Sequence, residues 1–183
     1  MSFIERMKQA RLEDDKVVHF KNAFPVVPNF ETFVKSSQMV PKSKLRKENE
    51  FLTIYYTGEK LPMLYAFNGF KEFEDAMLKA FGLYLWNEPV MIYSQTTEHG
   101  SGLFMHVDPG KQIHWNCIGK ALWTVIENGK EVKYIMEPGD VIYIPEGWKH
   151  GVITLEAPRA GMIYTGWSND QIKNLNPTTL ERY

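Results

Sequence analysis

"GDVIYIPEGWKHG", Gly139 to Gly151, places three glycines, a proline, a tryptophan and a histidine around a four-residue apolar run. The run Val141–Ile144 reads as a short buried strand, because it is too brief for a helix and is bounded on both sides by turn residues. A second strand then begins near His150. The stretch alone leaves two roles open for that histidine. It is either a core residue satisfied by a backbone carbonyl or one jaw of a metal site whose other ligands lie elsewhere.

Upstream and downstream the same punctuation repeats. Short β-rich segments follow one another after Trp86, at Val90 to Gln95, Leu103 to Val107, Ile113 to Ile126, Glu131 to Met136, Val141 to Ile144, Gly151 to Leu155 and Gly161 to Trp167. Between the third and fourth, "ENGK" (Glu127 to Lys130) carries Asn-Gly, the strongest short hairpin signal. Strands at this spacing predict an antiparallel barrel or sandwich.

The first part of the chain mixes helix with irregular segments. Phe3 to Leu12 has apolar residues at helical spacing, and Lys16 to Phe20 reads as a strand. "PNFETFVKSSQ" reads as a helix with Asn29 as its N-cap and Phe30, Phe33 and Val34 on one face. "GFKEFEDAMLKAFG" reads as a second helix whose aromatic stripe serves the core. At 183 residues the chain is one domain. We expect a helical and irregular supporting part over 1–88, a β core over 89–168, and a tail over 169–183 packed on the outside as a short helix or loop.

Composition narrows the function classes. A net charge of −1 and a pI near 6.5 carry no global footprint for nucleic acid or an anionic membrane. The basic cluster with Lys42, Lys44, Arg46 and Lys47 reads as a solvated loop or helix end. A single cysteine, Cys117, rules out an intramolecular disulfide and reads as a small buried hydrophobe. No apolar run reaches the ~20 residues of a membrane helix, and the first residues lack the apolar core of a signal peptide. A cytoplasmic protein is expected.

"FMHVDPG" supplies partners for His150. His106 and Asp108 are two apart on a predicted strand, so their side chains share one face. With His150 they make two imidazoles and one carboxylate, the facial set that leaves open positions on a non-haem Fe(II) ion. A structural zinc site would instead favour cysteines and a closed tetrahedron.

The ordered set "HVD", "IGKALW" and "GDVIYIPEGWKH", spanning roughly Tyr93 to Trp167, resembles the JmjC and cupin-like family of Fe(II)- and 2-oxoglutarate-dependent oxygenases. The resemblance implies a double-stranded β-helix, the cupin or jelly-roll barrel, with His106, Asp108 and His150 binding iron and serving as the catalytic centre. It also implies a hydroxylase that consumes 2-oxoglutarate and acts on a protein side chain or a small molecule. In this frame Gly139 and Asp140 form the tight entry, Pro145 ends strand pairing, and Gly147 lets Trp148 fold inward while His150 is aimed at the barrel mouth. Trp123, Trp115, Tyr93 and Trp167 would form an aromatic wall. His114, His99 and Trp167 would face substrate, and substrate selection would fall to the N-terminal helices and the loop Ser94 to Gly102.

The chain departs from the family in two places. The lysine that holds the distal carboxylate of 2-oxoglutarate belongs two residues before Trp123, where this chain has Ala121, and Lys120 is offset by one. Leu103 stands where a threonine is common. On a regular strand Lys120 would point to the opposite face. Three routes stay open: a β-bulge near Gly119 that turns Lys120 inward, Arg159 as the anchoring cation, or no use of 2-oxoglutarate. Tyr93 and Tyr164 would add a hydroxyl in the first two. The rival readings are a cupin metalloenzyme that does not use 2-oxoglutarate and a metal-binding module without turnover.

Overall fold

The computed structural model describes residues 16–24, 27–39, 45–47, 52–56, 84–85, 90–98, 102–108 and 110–167, with backbone alone for 45–47, 52–56, 84–85, 90–92 and 166–167. The helices expected over Phe3 to Leu12 and Gly69 to Gly82, and the tail 169–183, lie outside the described residues.

Ten strands and one helix are present among the described residues. In chain order they are β1 (Val18–Phe20), α1 (Phe30–Met39), β2 (Leu45–Lys47), β3 (Leu52–Tyr56), β4 (Tyr84–Leu85), β5 (Val90–Ser94), β6 (Leu103–His106), β7 (Lys111–Glu127), β8 (Lys130–Met136), β9 (Val141–Ile144) and β10 (His150–Trp167). Helix α1 begins where its cap predicts, since Asn29 Oδ1 accepts the Thr32 amide at 2.9 Å. The hairpin between β7 and β8 turns through Asn128 and Gly129, both at positive φ, as a two-residue turn of the Asn-Gly kind requires.

The long strands β7 and β10 organise the barrel, because each serves two half-sheets. The first half of β7 pairs with β9 and with the second half of β10, and β5, β3, β2 and β1 extend that sheet. The second half of β7 pairs with β8 and with the first half of β10, which also pairs β6. The bend falls at Gly119. Its φ is +66°, and a Cβ there would stand 2.3 Å from the Glu156 carbonyl oxygen and 2.5 Å from that of Pro158. Only glycine allows two strands to cross so closely.

The two segments expected as separate strands, Gly151 to Leu155 and Gly161 to Trp167, are one strand. The "EAPRA" stretch between them stays extended through the register shifts that match the bend in β7. Part of the basic cluster is likewise strand: β2 holds Leu45–Lys47 against β3, in place of the expected loop or helix end. Its extended backbone is stabilised by the ladder, which charge pattern does not report.

The half-sheets face each other across a core of Ala121, Trp123, Val125, Met136, Ile142, Ile144 and Val152. Each fully buried aliphatic side chain there contributes about 1.5–3 kcal/mol. A second apolar layer covers the outside of the larger half-sheet. There Trp115 packs on Phe24 with ring centroids 5.0 Å apart, and Tyr93 meets Phe30 of α1 edge-on at 5.7 Å. Among the described residues no helix is long and apolar enough to cross a membrane.

Asp140 ties the N-terminal segment to this frame, a role the sequence did not disclose. Its Oδ1 accepts the Asn22 amide at 2.7 Å, while Oδ2 accepts the Glu137 amide at 3.1 Å and meets His19 Nε2 at 2.9 Å. The close approach is completed by Gly139, at φ +92°, where a Cβ would lie 2.5 Å from the Phe24 carbonyl oxygen.

Candidate metal centre

His106 ends β6 and His150 begins β10, and the two are register partners across that ladder. Both are aimed inward by an irregularity. Leu103 pairs with Val152 and His106 with His150, so three steps on β6 match two on β10, a bulge. It lets Leu103 pack against the core and His106 face the site although they are three residues apart. The two residues that oppose Gly151 in this bulge, Phe104 and Met105, are exposed.

Asp108 completes the cluster. One ligand atom from each of His106, Asp108 and His150 lies within 4.8 Å of the others. Asp108 Oδ2 is 3.4 Å from Nε2 of each ring. Burial pushes this carboxyl up, but the two rings beside it outweigh that effect and hold it well below the usual carboxylate range. At neutral pH it is an anion.

The rings are oriented in the same way. His106 Nδ1 bonds the Phe104 carbonyl at 2.6 Å, and His150 Nδ1 bonds the Trp148 carbonyl at 2.8 Å, each two residues upstream. A carbonyl accepts only from N–H, so these bonds place the proton on Nδ1 and leave the Nε2 lone pair for a cation. His150 Nε2 is buried with no hydrogen-bond partner. Such an atom is costly unless something binds it. Two neutral imidazoles and a carboxylate fit a borderline divalent transition metal, and three ligands leave coordination positions open.

The remaining predicted residues divide sharply. Trp123 and His114 line the interior beside the triad, with Trp123 5.9 Å from the His150 ring and 4.1 Å from that of His114. His114 is buried, both its ring nitrogens lack partners, and burial drives its pKa well down, so it is neutral. It lies within electrostatic reach of both the triad and Arg159. Arg159, opposite Ser94 on β5, is 2% exposed, with Nε and Nη1 unpartnered. Burial lowers its pKa to about 10, which still leaves a cation at neutral pH.

Lys120 does not reach the interior. The bulge expected at Gly119 exists, but it lies before Lys120, so inward-facing positions change from Gln112 and His114 to Ala121, Trp123 and Val125. Ala121 takes the inner face. The Lys120 ammonium stays outside, 3.4 Å from Glu137 and 3.5 Å from Glu156, which raise its pKa.

Tyr93, Tyr164 and Trp115 also lie away from the site. Tyr93 is register partner of Ala160 and packs against α1, its hydroxyl 3.4 Å from Ser37 Oγ. Tyr164 is opposite Ile113, on the same outer face as Met162 and Trp115. Strand parity decides these placements, and the expectation lacked the register that sets it. His99 and the Trp167 side chain lie outside the described residues. Cys117 is fully buried, and burial pushes its thiol pKa well up, as expected for a packing residue.

No protein-family model matches the chain, and no curated protein matches it by sequence. Solved structures do resemble it. Escherichia coli ycfD superposes with a TM-score of 0.54 at 14% identity, over 93% of this chain and 55% of that chain. A structure titled YcfD, a ribosomal oxygenase from Escherichia coli in complex with cobalt and 2-oxoglutarate, gives 0.53 at 16% identity, over 94% and 52%. An RmlC-like cupin from Shewanella frigidimarina gives 0.44 at 13%, over 69% and 86%. The chain therefore spans about half the length of the YcfD chains it resembles, and it shares their fold, an antiparallel double-stranded β-helix.

Proposed function

We propose that this chain is a metal-dependent oxygenase that uses Fe(II) and 2-oxoglutarate to hydroxylate a protein side chain or a small molecule. The observation that carries the reading is the pairing of two incomplete sites in one interior. A two-histidine, one-carboxylate cluster has His150 Nε2 without a hydrogen bond, and a buried guanidinium at Arg159 has no anion among the described residues. A dicarboxylate co-substrate answers both, with its 2-oxo acid end toward the cluster and its distal carboxylate toward Arg159. The YcfD structure with cobalt and 2-oxoglutarate supports this reading by sharing the fold.

His106, Asp108 and His150 would hold the ion, which when bound supplies the redox chemistry that couples decarboxylation of 2-oxoglutarate to C–H hydroxylation. The protein supplies the rest. Carbonyl bonds to both Nδ1 atoms keep the two Nε2 lone pairs aimed at one point before the ion arrives. Arg159, charged and dry, offers a carboxylate two parallel N–H donors. Trp123 forms an apolar wall beside His150, which keeps water from the reacting centre. Neutral His114, with both nitrogens unsatisfied, can donate or accept one further hydrogen bond to bound co-substrate or substrate.

The reading is tested by anaerobic titration with Fe(II) and then 2-oxoglutarate, following the weak visible charge-transfer band. A band absent from His106→Ala and reduced in Arg159→Met is the expected result. Metal content unchanged in His106→Ala, with no band in the wild type, overturns it. Oxygen consumption indifferent to 2-oxoglutarate would point instead to a cupin metalloenzyme that binds its substrate directly.

A further inference from the structure

Gln112, His114 and Asn116 alternate along the inner face of β7, and two of the three have their side-chain amides engaged. Gln112 Nε2 donates to Thr165 Oγ1 at 3.3 Å, and Asn116 Nδ2 donates to the carbonyls of Gly119 at 2.8 Å and Met136 at 3.4 Å. His114 differs. It is 4% exposed, and neither ring nitrogen has a hydrogen-bond partner among the described residues. Its cross-strand neighbours, Ile142 and Ile163, have aliphatic side chains that offer none. Trp123 lies against the ring with centroids 4.1 Å apart, so packing takes a face of the imidazole and leaves its edge, where the nitrogens sit. A buried polar edge of this kind costs stability in the free protein unless a ligand answers it.

Its place along the interior says which part of a ligand it meets. Arg159 is four residues from Ile163, the register partner of His114, which at the rise of a strand is about 13 Å along β10. The His150 ring is 6.2 Å from that of His114. The imidazole therefore stands at the cluster end of the interior, away from the guanidinium. We propose that His114 binds the 2-oxo acid end of the co-substrate by donating a ring N–H to its carboxylate, an inference that rests on the proposed use of 2-oxoglutarate. Either tautomer serves, because whichever nitrogen meets the oxygen can carry the proton. Burial keeps the ring neutral, so it grips an anion without repelling a cation held by the neighbouring cluster.

Calorimetric binding to the Zn(II)-loaded chain, paired with its melting before any acid is added, tests this. His114→Leu is apolar and of similar size. It should weaken 2-oxoglutarate, and pyruvate, which lacks the distal carboxylate, each by at least about tenfold. It should also melt about 2–4 °C higher than wild type, because an unanswered polar group has left the interior. His114→Gln, which restores a donor, should recover most of the affinity and forfeit the gain in melting. Arg159→Met should weaken 2-oxoglutarate and leave pyruvate within about twofold, which locates His114 at the other end. A His114→Leu chain that melts lower than wild type marks a structural histidine and overturns the proposal, as does a loss that spares pyruvate. If wild type binds neither acid, the proposed function falls and this inference with it. If wild type binds both and His114→Leu binds them as tightly, this inference falls alone.

Discussion

His106 and His150 stand opposite each other in the β6–β10 ladder with ring centroids 4.6 Å apart, and each ring is held by the carbonyl two residues before it. The candidate site is therefore preorganised by backbone, and in the proposed metal centre the energy to aim the two rings would be spent in folding rather than in metal binding. Replacing either histidine by alanine should weaken metal binding by at least about 100-fold, beyond what loss of an outer hydrogen-bond partner usually costs. Isothermal titration with Co(II) under argon measures it. Affinity at the level of the wild type in His150→Ala would remove that residue from the ligand set.

Arg159 is expected to cost stability in the free protein. Its folded pKa, about 10, lies below the ordinary arginine value because burial penalises the cation. Below about pH 10 both folded and unfolded chains are protonated, so the penalty is fully present. Above it the folded state releases its proton first, the unfolded chain binds more protons, and stability rises with pH. Arg159→Met should thus be more stable than wild type at pH 7.5 by about 1–3 kcal/mol. On the proposed function, 2-oxoglutarate should raise the melting temperature of the metal-loaded wild type, and the same substitution should abolish that shift. Equal melting of the two proteins at pH 7.5 would mean that the guanidinium is satisfied.

Gly119→Ala tests the bend. Its Cβ would meet two backbone carbonyl oxygens within 2.5 Å, and φ is +66°. A non-glycine residue in that region costs about 1–3 kcal/mol before any clash is counted. Because the bend sets the parity of Trp123 against His114, the variant should lose both stability and metal affinity. Urea denaturation with unchanged midpoint would show that the strands separate easily there.

Legibility from sequence followed the range of each interaction. The His106–Asp108 pair, the Asn29 cap and the Asn-Gly turn depend on neighbours within a few residues, and these are written in "HVD", "PNFET" and "ENGK", whereas His150 joins the pair only through the β6–β10 ladder. The inner or outer face of Tyr93, Tyr164, Trp115 and Lys120 depends on register and on where a bulge falls, and a one-residue shift reverses every side chain. "EAPRA" fell between two predicted segments, Gly151 to Leu155 and Gly161 to Trp167, yet the strand runs through it. The Asp140 anchor joins residues more than a hundred positions apart, so no local pattern announces it.

That anchor makes its own prediction. Asp140→Ala removes an acceptor from two backbone amides and from His19. Hydrogen bonds to a charged group contribute about 1.5–3 kcal/mol each, and the Glu137 and Asn22 amides would be left without this partner. A loss of about 2–4 kcal/mol is expected. Asp140→Asn should retain part of it by keeping one carbonyl oxygen. Denaturant midpoints order the three proteins, and an Asp140→Ala midpoint equal to wild type would show the N-terminal segment to be held by its apolar contacts alone.

Lys120 and Arg159 separate the two routes by which this chain could hold a dicarboxylate. Lys120 is on the outer face, paired with Glu137 and Glu156, and Arg159 is in the interior without an anion among the described residues. Lys120→Met should leave the Michaelis constant for 2-oxoglutarate within about twofold of wild type, since it touches nothing inside. Arg159→Met should raise that constant by at least about 100-fold, the loss of a charge-assisted, two-pronged contact worth about 3 kcal/mol. Arg159→Lys should recover little, because a lysine offers a point charge in place of a planar fork. The inverse pattern, with Lys120→Met impaired and Arg159→Met unaffected, would mean that the strand around Gly119 rearranges when co-substrate binds and turns the ammonium inward.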